Sequence, residues 1–128
     1  MKTRLLILIF LITIGCTINK QKQNQIKSKG AIIELVLFKT NADIKSEDAK
    51  NAMIKLNKVL SKQKGFISRK TSISKDGQYL DLVYWTDLVS AQNANKKVME
   101  DTLALEIFNL IDQKQMTFNH FETFNNYK

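Results

Sequence analysis

The hydrophobic pattern of the chain changes period several times, and each change marks an element. Residues 31–38 are apolar and largely β-branched apart from Glu34, which predicts a strand covered on both faces. Ser46 then opens a helix as its cap, with Glu47 and Asp48 in the first turn and Ala49, Met53, Leu56 and Leu60 at helical spacing. Gly65 suits the carboxyl-terminal end of that helix. Two β-like runs, residues 66–74 and 79–86, flank Lys75-Asp76-Gly77-Gln78, where Asp-Gly predicts a tight hairpin with positive φ at both central positions. Asp87 caps a second helix with Leu88, Ala91, Asn95 and Val98 on one stripe, and a further helical stretch over residues 102–111 turns Leu103, Ile107, Leu110 and Ile111 inward. The last strand covers residues 116–124. This order, β-α-β-β-α-(α)-β, predicts an α+β domain of the ferredoxin-like split type with a four-stranded antiparallel sheet.

Alternation along the first strand points Glu34, Val36 and Phe38 one way and Ile33, Leu35 and Leu37 the other, so both sheet faces carry apolar groups. Helices on one side leave the second face to be covered. An apolar sheet face of that kind is rarely left in water, and a homodimer packed sheet to sheet is the expected answer.

The amino terminus follows a different grammar. Lys2 and Arg4 precede an unbroken apolar run over residues 5–12, and Thr13-Ile14-Gly15 lead to Cys16. This is the anatomy of a signal peptide over residues 1–15. A permanent spanning helix needs about twenty apolar residues, well beyond the length of this run. Residues 12–16 resemble a lipobox, which makes Cys16 the residue that receives the lipid and becomes the new amino terminus. Cys16 is the single cysteine, so it has no intramolecular disulfide to form. Residues 16–29 then form a polar Lys, Gln and Asn tether with too little apolar surface to fold, and residues 30–128 form one domain. The expected location is the bacterial cell envelope, lipid-anchored, periplasmic or at the outer membrane; Thr17 is not the Asp associated with inner-membrane retention.

A formal net charge of +8 raises the question of nucleic acid, but six of the twenty basic residues lie in residues 1–29, where there is no acid. The remaining fourteen face twelve acidic residues, a net of +2, which provides no phosphate-binding field and argues against a nucleic-acid partner. The basic tether is a solvated spacer that can lie near anionic lipid headgroups.

The segment from Gly65-Phe66 through the hairpin to Val83-Tyr84-Trp85-Thr86-Asp87, then Ala91, Ala94 and Thr117-Phe118-Asn119-His120-Phe121-Glu122, resembles the dimeric α+β barrel superfamily. Within it, the resemblance is to the antibiotic biosynthesis monooxygenase-like domains, and it extends over nearly all of residues 30–124. It implies a dimeric barrel that binds a small molecule, with cofactor-independent oxygenase activity on a quinol-like or polycyclic aromatic substrate among the activities it allows. No cofactor is expected. The haem-degrading branch is disfavoured: of its Asn on the first strand, Trp on the third and His on the following helix, only the Trp has a counterpart here.

Four residues qualify as candidates for the site. By resemblance Trp85 lines a substrate pocket; by residue type alone it is core. His120 is the only histidine, able to exchange protons near neutral pH or to serve as a hydrogen-bonded core or interface residue. Trp85 and His120 are the weak catalytic candidates. Glu34 stands in an apolar strand, either as a site residue or as half of an ion pair for which Arg69 is a plausible partner. Asp81 shares a strand face with Trp85, so Trp85, Asp81 and Glu34 form the expected ligand-binding set. No metal site is expected, since no paired ligand spacing occurs. Against the enzyme reading stands a non-catalytic envelope module that binds a ligand or partner. A cavity reaching Trp85 with convergent polar groups would favour the enzyme, and a filled interior there would favour the module.

Overall fold

The computed structural model describes residues 31–127. The signal segment 1–15, Cys16 and the tether to residue 29 lie outside the described residues. The observed order is β1 (Ile32–Phe38), α1 (Ser46–Leu60), β2 (Phe66–Ile73), β3 (Tyr79–Trp85), α2 (Leu88–Val98), α3 (Thr102–Phe108), a short 3-10 turn (Gln113–Gln115) and β4 (Thr117–Glu122). The strands form one antiparallel sheet in the order β2-β3-β1-β4, the ferredoxin-like arrangement that the pattern predicts.

Alternation decides which side chains meet the helices. In β3 Tyr79, Asp81, Val83 and Trp85 are buried, while Leu80, Leu82 and Tyr84 between them are half-buried on the opposite face. In β1 Ile32, Glu34 and Phe38 take the helix side. The core forms where this face meets Ala49, Met53, Leu56, Val59 and Leu60 of α1, Ala91, Ala94 and Val98 of α2, and Ala104 and Ile107 of α3. Three alanines on α2 and α3 let those short helices approach closely. Phe38 and Tyr79, paired across β1 and β3, stack with ring centroids 5.1 Å apart.

Three local details depart from the sequence reading. Ser46 is the first helical residue of α1, not its cap; the cap position is Lys45, whose side chain makes no capping bond. The hairpin has positive φ at Gly77 only, so it is not the two-residue turn that Asp-Gly implies. Ser74 closes the loop, its hydroxyl 2.6 Å from Asp76 and its backbone bonded to Gln78, so the turn takes three residues, Lys75, Asp76 and Gly77, and Asp76 keeps an ordinary conformation. Gly65 (φ +83°) does not end α1, which stops at Leu60. It leads into β2, where a Cβ would collide with the Ser90 side chain and with Thr86. Asp87 and Asp101 cap α2 and α3 through Ser90 N–H (2.7 Å) and Ala104 N–H (3.0 Å).

Candidate functional site

Between the helix-facing side of the sheet and the helices lies a cavity of about 350 Å³. Most of its wall is apolar, with Val36, Phe38 and Val83 from the sheet, Met53 and Leu56 from α1, Val98 from the end of α2 and Met99 just after it, and Phe118 from β4. Four polar residues join that wall: Glu34, Asp81, Asn95 and Gln113. A mostly apolar chamber with a few convergent polar groups is the usual form of a small-molecule site.

Glu34 is 4% exposed, and its Oε2 meets two groups: Asn95 Nδ2 donates at 3.1 Å and His120 Nε2 stands at 3.0 Å. Its predicted partner Arg69 is elsewhere, and register explains why. Glu34 faces Val83 on one side and His120 on the other, while Arg69 faces Val83 from β2. Strand β3 therefore separates Arg69 from Glu34. Burial pushes the Glu34 carboxyl above its ordinary range; the bonds from Asn95 and His120 oppose the shift, and the charge of Asp81 adds to it.

Asp81 has the arginine instead. Arg69 Nε and Nη2 grip the two Asp81 oxygens at 2.8 and 2.7 Å, Thr71 Oγ1 donates at 3.3 Å, and Arg69 Nη1 continues to Asn57 Oδ1 at 2.8 Å and to the Met53 carbonyl. Both partners are buried, and the fork geometry satisfies the pair from both ends.

Trp85 shares the face of Asp81, as alternation requires, but it is 0% exposed and does not line the cavity. Phe66 packs edge-on against it at 5.9 Å between ring centres, and its indole Nε1 has no hydrogen-bond partner among the described residues. The expectation that Trp85 borders the ligand cavity is therefore corrected. Standing at the end of β3 opposite Ile32 and Phe66, it is enclosed by core on every side. His120 does not line the cavity; it meets Glu34 and packs edge-on against Phe118 at 5.1 Å, and both of those residues do.

The sequence reading left Asn95 and Gln113 out of the site. Asn95 carried a usable signal, a polar residue on the apolar stripe of α2; Gln113, in a short turn, carried none. Met53, Met99 and Met116 give the wall a flexible, polarisable lining.

No protein-family model matches the chain, and no curated protein matches it at a significant level. Solved structures do share its fold. A substituted form of SnoaB, a cofactor-independent oxygenase from Streptomyces nogalater, superposes with a TM-score of 0.61 at 13% identity, over 76% of this chain and 96% of that one. A Bordetella bronchiseptica protein provisionally named an antibiotic biosynthesis monooxygenase gives a TM-score of 0.64 at 10% identity, over 74% of this chain and 98% of that one. A conserved protein from Methanosarcina mazei Go1 gives 0.59 at 17% identity, over 76% and 96%. The domain thus has the ferredoxin-like α+β fold of antibiotic biosynthesis monooxygenase-like structures. At these identities the likeness defines the fold alone.

Proposed function

We propose that this is an envelope-anchored lipoprotein whose antibiotic biosynthesis monooxygenase-like domain binds a small aromatic or quinol-like molecule in the cavity beside Glu34, and oxidises it with dioxygen without a cofactor. The observation that carries the binding reading is the cavity itself: about 350 Å³, walled mainly by apolar side chains, with Glu34 and Asn95 joined at one point of the wall. The oxygenase part rests on the fold shared with SnoaB. Electrons for such a reaction come from the substrate: a ring CH2 of the anthrone type loses both hydrogens and gains one oxygen atom of O2 as a carbonyl, while the other oxygen atom leaves with the two hydrogens as water.

A second reading, binding without catalysis, is favoured by one observation. Trp85, the residue that the family resemblance would place in the pocket, is sealed in the core. The two readings separate in one experiment on the purified protein: anthrone-type and naphthoquinol probes are added, binding is measured by fluorescence quenching, and oxygen consumption is followed by electrode. Binding with oxygen uptake above the uncatalysed rate supports the oxygenase, binding without uptake the passive module, and no binding sinks both.

The dimer belongs to the same proposal. Ile33, Leu35 and Leu37 of β1, Leu80, Leu82 and Tyr84 of β3, and the exposed Phe121 of β4 share the sheet face turned away from the helices. A second copy packed there would bury them. Leu82→Lys should convert a dimer into a monomer in light scattering, and a wild type that is already monomeric at micromolar concentration would end that reading. Anchoring is tested by fractionation: Cys16→Ser should leave the membrane fraction or fail to mature.

A further inference from the structure

Two carboxylates are buried among the described residues, and they differ in one respect. Both oxygens of Asp81 are engaged by Arg69, whereas Glu34 is held by Oε2 alone, with Asn95 and His120 both on that atom. Oε1 has no hydrogen bond among the described residues. Nor is it sealed, since the only fully enclosed side-chain polar atom lacking a partner there is Trp85 Nε1. Two groups on one oxygen fix the rotation of the carboxylate and leave the other oxygen unengaged, on a residue that lines the cavity.

We propose that Glu34 Oε1 accepts the proton of a weakly acidic hydroxyl, a phenol or an enol, on a flat and otherwise apolar molecule held in this cavity, with Asn95 and His120 as positioning residues. The proposal rests on the reading that the cavity takes an aromatic small molecule, and it identifies the group on that molecule that is recognised. In the step, the ligand O–H bond breaks and a Glu34 Oε1–H bond forms. The electron pair stays on the ligand oxygen, one negative charge moves from the carboxylate to the ring, and no electrons are exchanged with any other reactant.

The chemistry of the wall selects this ligand class. An ammonium group would have to shed its water for a single carboxylate oxygen in an apolar chamber, while a neutral hydroxyl enters uncharged and loses one hydrogen bond to gain another. The burial that raises the affinity of Glu34 for a proton also makes it a stronger base than an exposed carboxylate. The titratable groups facing it are His120 from β4 and Asp81 from β3, the latter neutralised by Arg69; α1, α2 and α3 contribute no titratable side chain to the cavity wall. Asn95 and His120 act only through Oε2.

The test uses the purified full-length protein and two probes with the same ring. 4-Nitrophenol carries the acidic hydroxyl and changes its absorption on ionising; 4-nitroanisole is its methyl ether and has no proton to give. The wild type should bind 4-nitrophenol about tenfold more tightly than 4-nitroanisole, the size of one hydrogen bond to a charged acceptor. The bound phenol should also absorb as the ionised form at a pH where the free phenol is neutral. Glu34→Gln can keep both bonds at the Oε2 position, and it should lose the phenol preference and the ionised spectrum while its 4-nitroanisole affinity stays within about twofold. His120→Gln should increase the ionised fraction of the bound phenol, because losing a partner that stabilises the carboxylate raises the proton affinity of Glu34. Equal affinities for the two probes, or a neutral spectrum for the phenol bound to wild type, overturn the assignment and leave aromatic binding in place. That spectrum needs no variant, so the decision does not depend on how a substituted protein folds. Binding of neither probe overturns this proposal together with the reading beneath it.

Discussion

Glu34 and Asp81 sit on the two central strands, on the same face, at nearly equal burial (4% and 5% exposed), and their surroundings have opposite logic. Around Asp81 the polar groups form a closed network: a two-pronged arginine, a threonine, an asparagine and a backbone carbonyl saturate one another. Around Glu34 the network is left open by one oxygen, and the residue lines a cavity. Burial alone therefore does not mark a functional carboxylate. What separates the two is how many of their lone pairs the protein itself satisfies, because an unspent acceptor in an apolar chamber is what a ligand's donor can use.

The comparison breaks most visibly at Arg69. Removing one member of a buried, hydrogen-bonded ion pair leaves the other charge without compensation, and Arg69→Ala should cost about 3–5 kcal/mol in urea unfolding at neutral pH. Arg69→Lys should recover only part of that loss, since an ammonium cannot grip both Asp81 oxygens while also reaching Asn57 and the Met53 carbonyl. A cost below about 1 kcal/mol for the alanine variant would show that the pair behaves as an exposed one.

Trp85 offers a second break, because it lies on the same strand face and yet belongs to neither polar network. Truncating a buried aromatic to alanine costs about 3–5 kcal/mol. Trp85→Phe should cost less, about 1–2 kcal/mol, since lost volume is offset in part by removal of an indole N–H that has no acceptor among the described residues. Melting temperature should fall while affinity for 4-nitroanisole stays unchanged. A loss of affinity at constant stability would return Trp85 to the cavity.

Much of this architecture is written locally in the chain. Period-two alternation in β1 and β3 sorts their faces, and the side chains of Asp87 and Asp101 carry their own capping geometry. The errors arise where a residue type has more than one use. Asp76 spends its carboxylate on Ser74, so the Asp-Gly signal does not produce the turn it usually marks. The expected Glu34–Arg69 pair fails because β3 stands between β1 and β2 in the sheet, an order that the sequence pattern does not specify. Trp85 was misplaced because a tryptophan at a strand end looks the same in sequence whether it lines a cavity or fills a core. The cavity has no signature of its own. It forms from residues of seven separate elements and loops, and only Glu34 in β1 and Asn95 in α2 hint at it, as polar residues on apolar faces.

The smallest predicted effect sharpens the comparison by pH. Because burial raises the proton affinity of Glu34 in the folded state, folded molecules bind more protons than unfolded ones between the ordinary carboxylate range and the raised folded-state value. Unfolding free energy contributed by this group is fully present below that window, declines as pH rises through it, and is absent above it. Glu34→Gln removes the titration while keeping an oxygen for Asn95 and His120, so the variant should gain stability relative to wild type as pH rises through the window and show no relative change below it. The gain should be smaller than the loss from Arg69→Ala, since Asn95 and His120 already offset part of the burial cost. Repeating the series in a His120→Gln background removes the imidazole from the comparison and should enlarge the difference. A variant that loses stability relative to wild type as pH rises would mean that the Glu34 carboxylate is stabilised by the fold, and would place it with Asp81 as a structural pair.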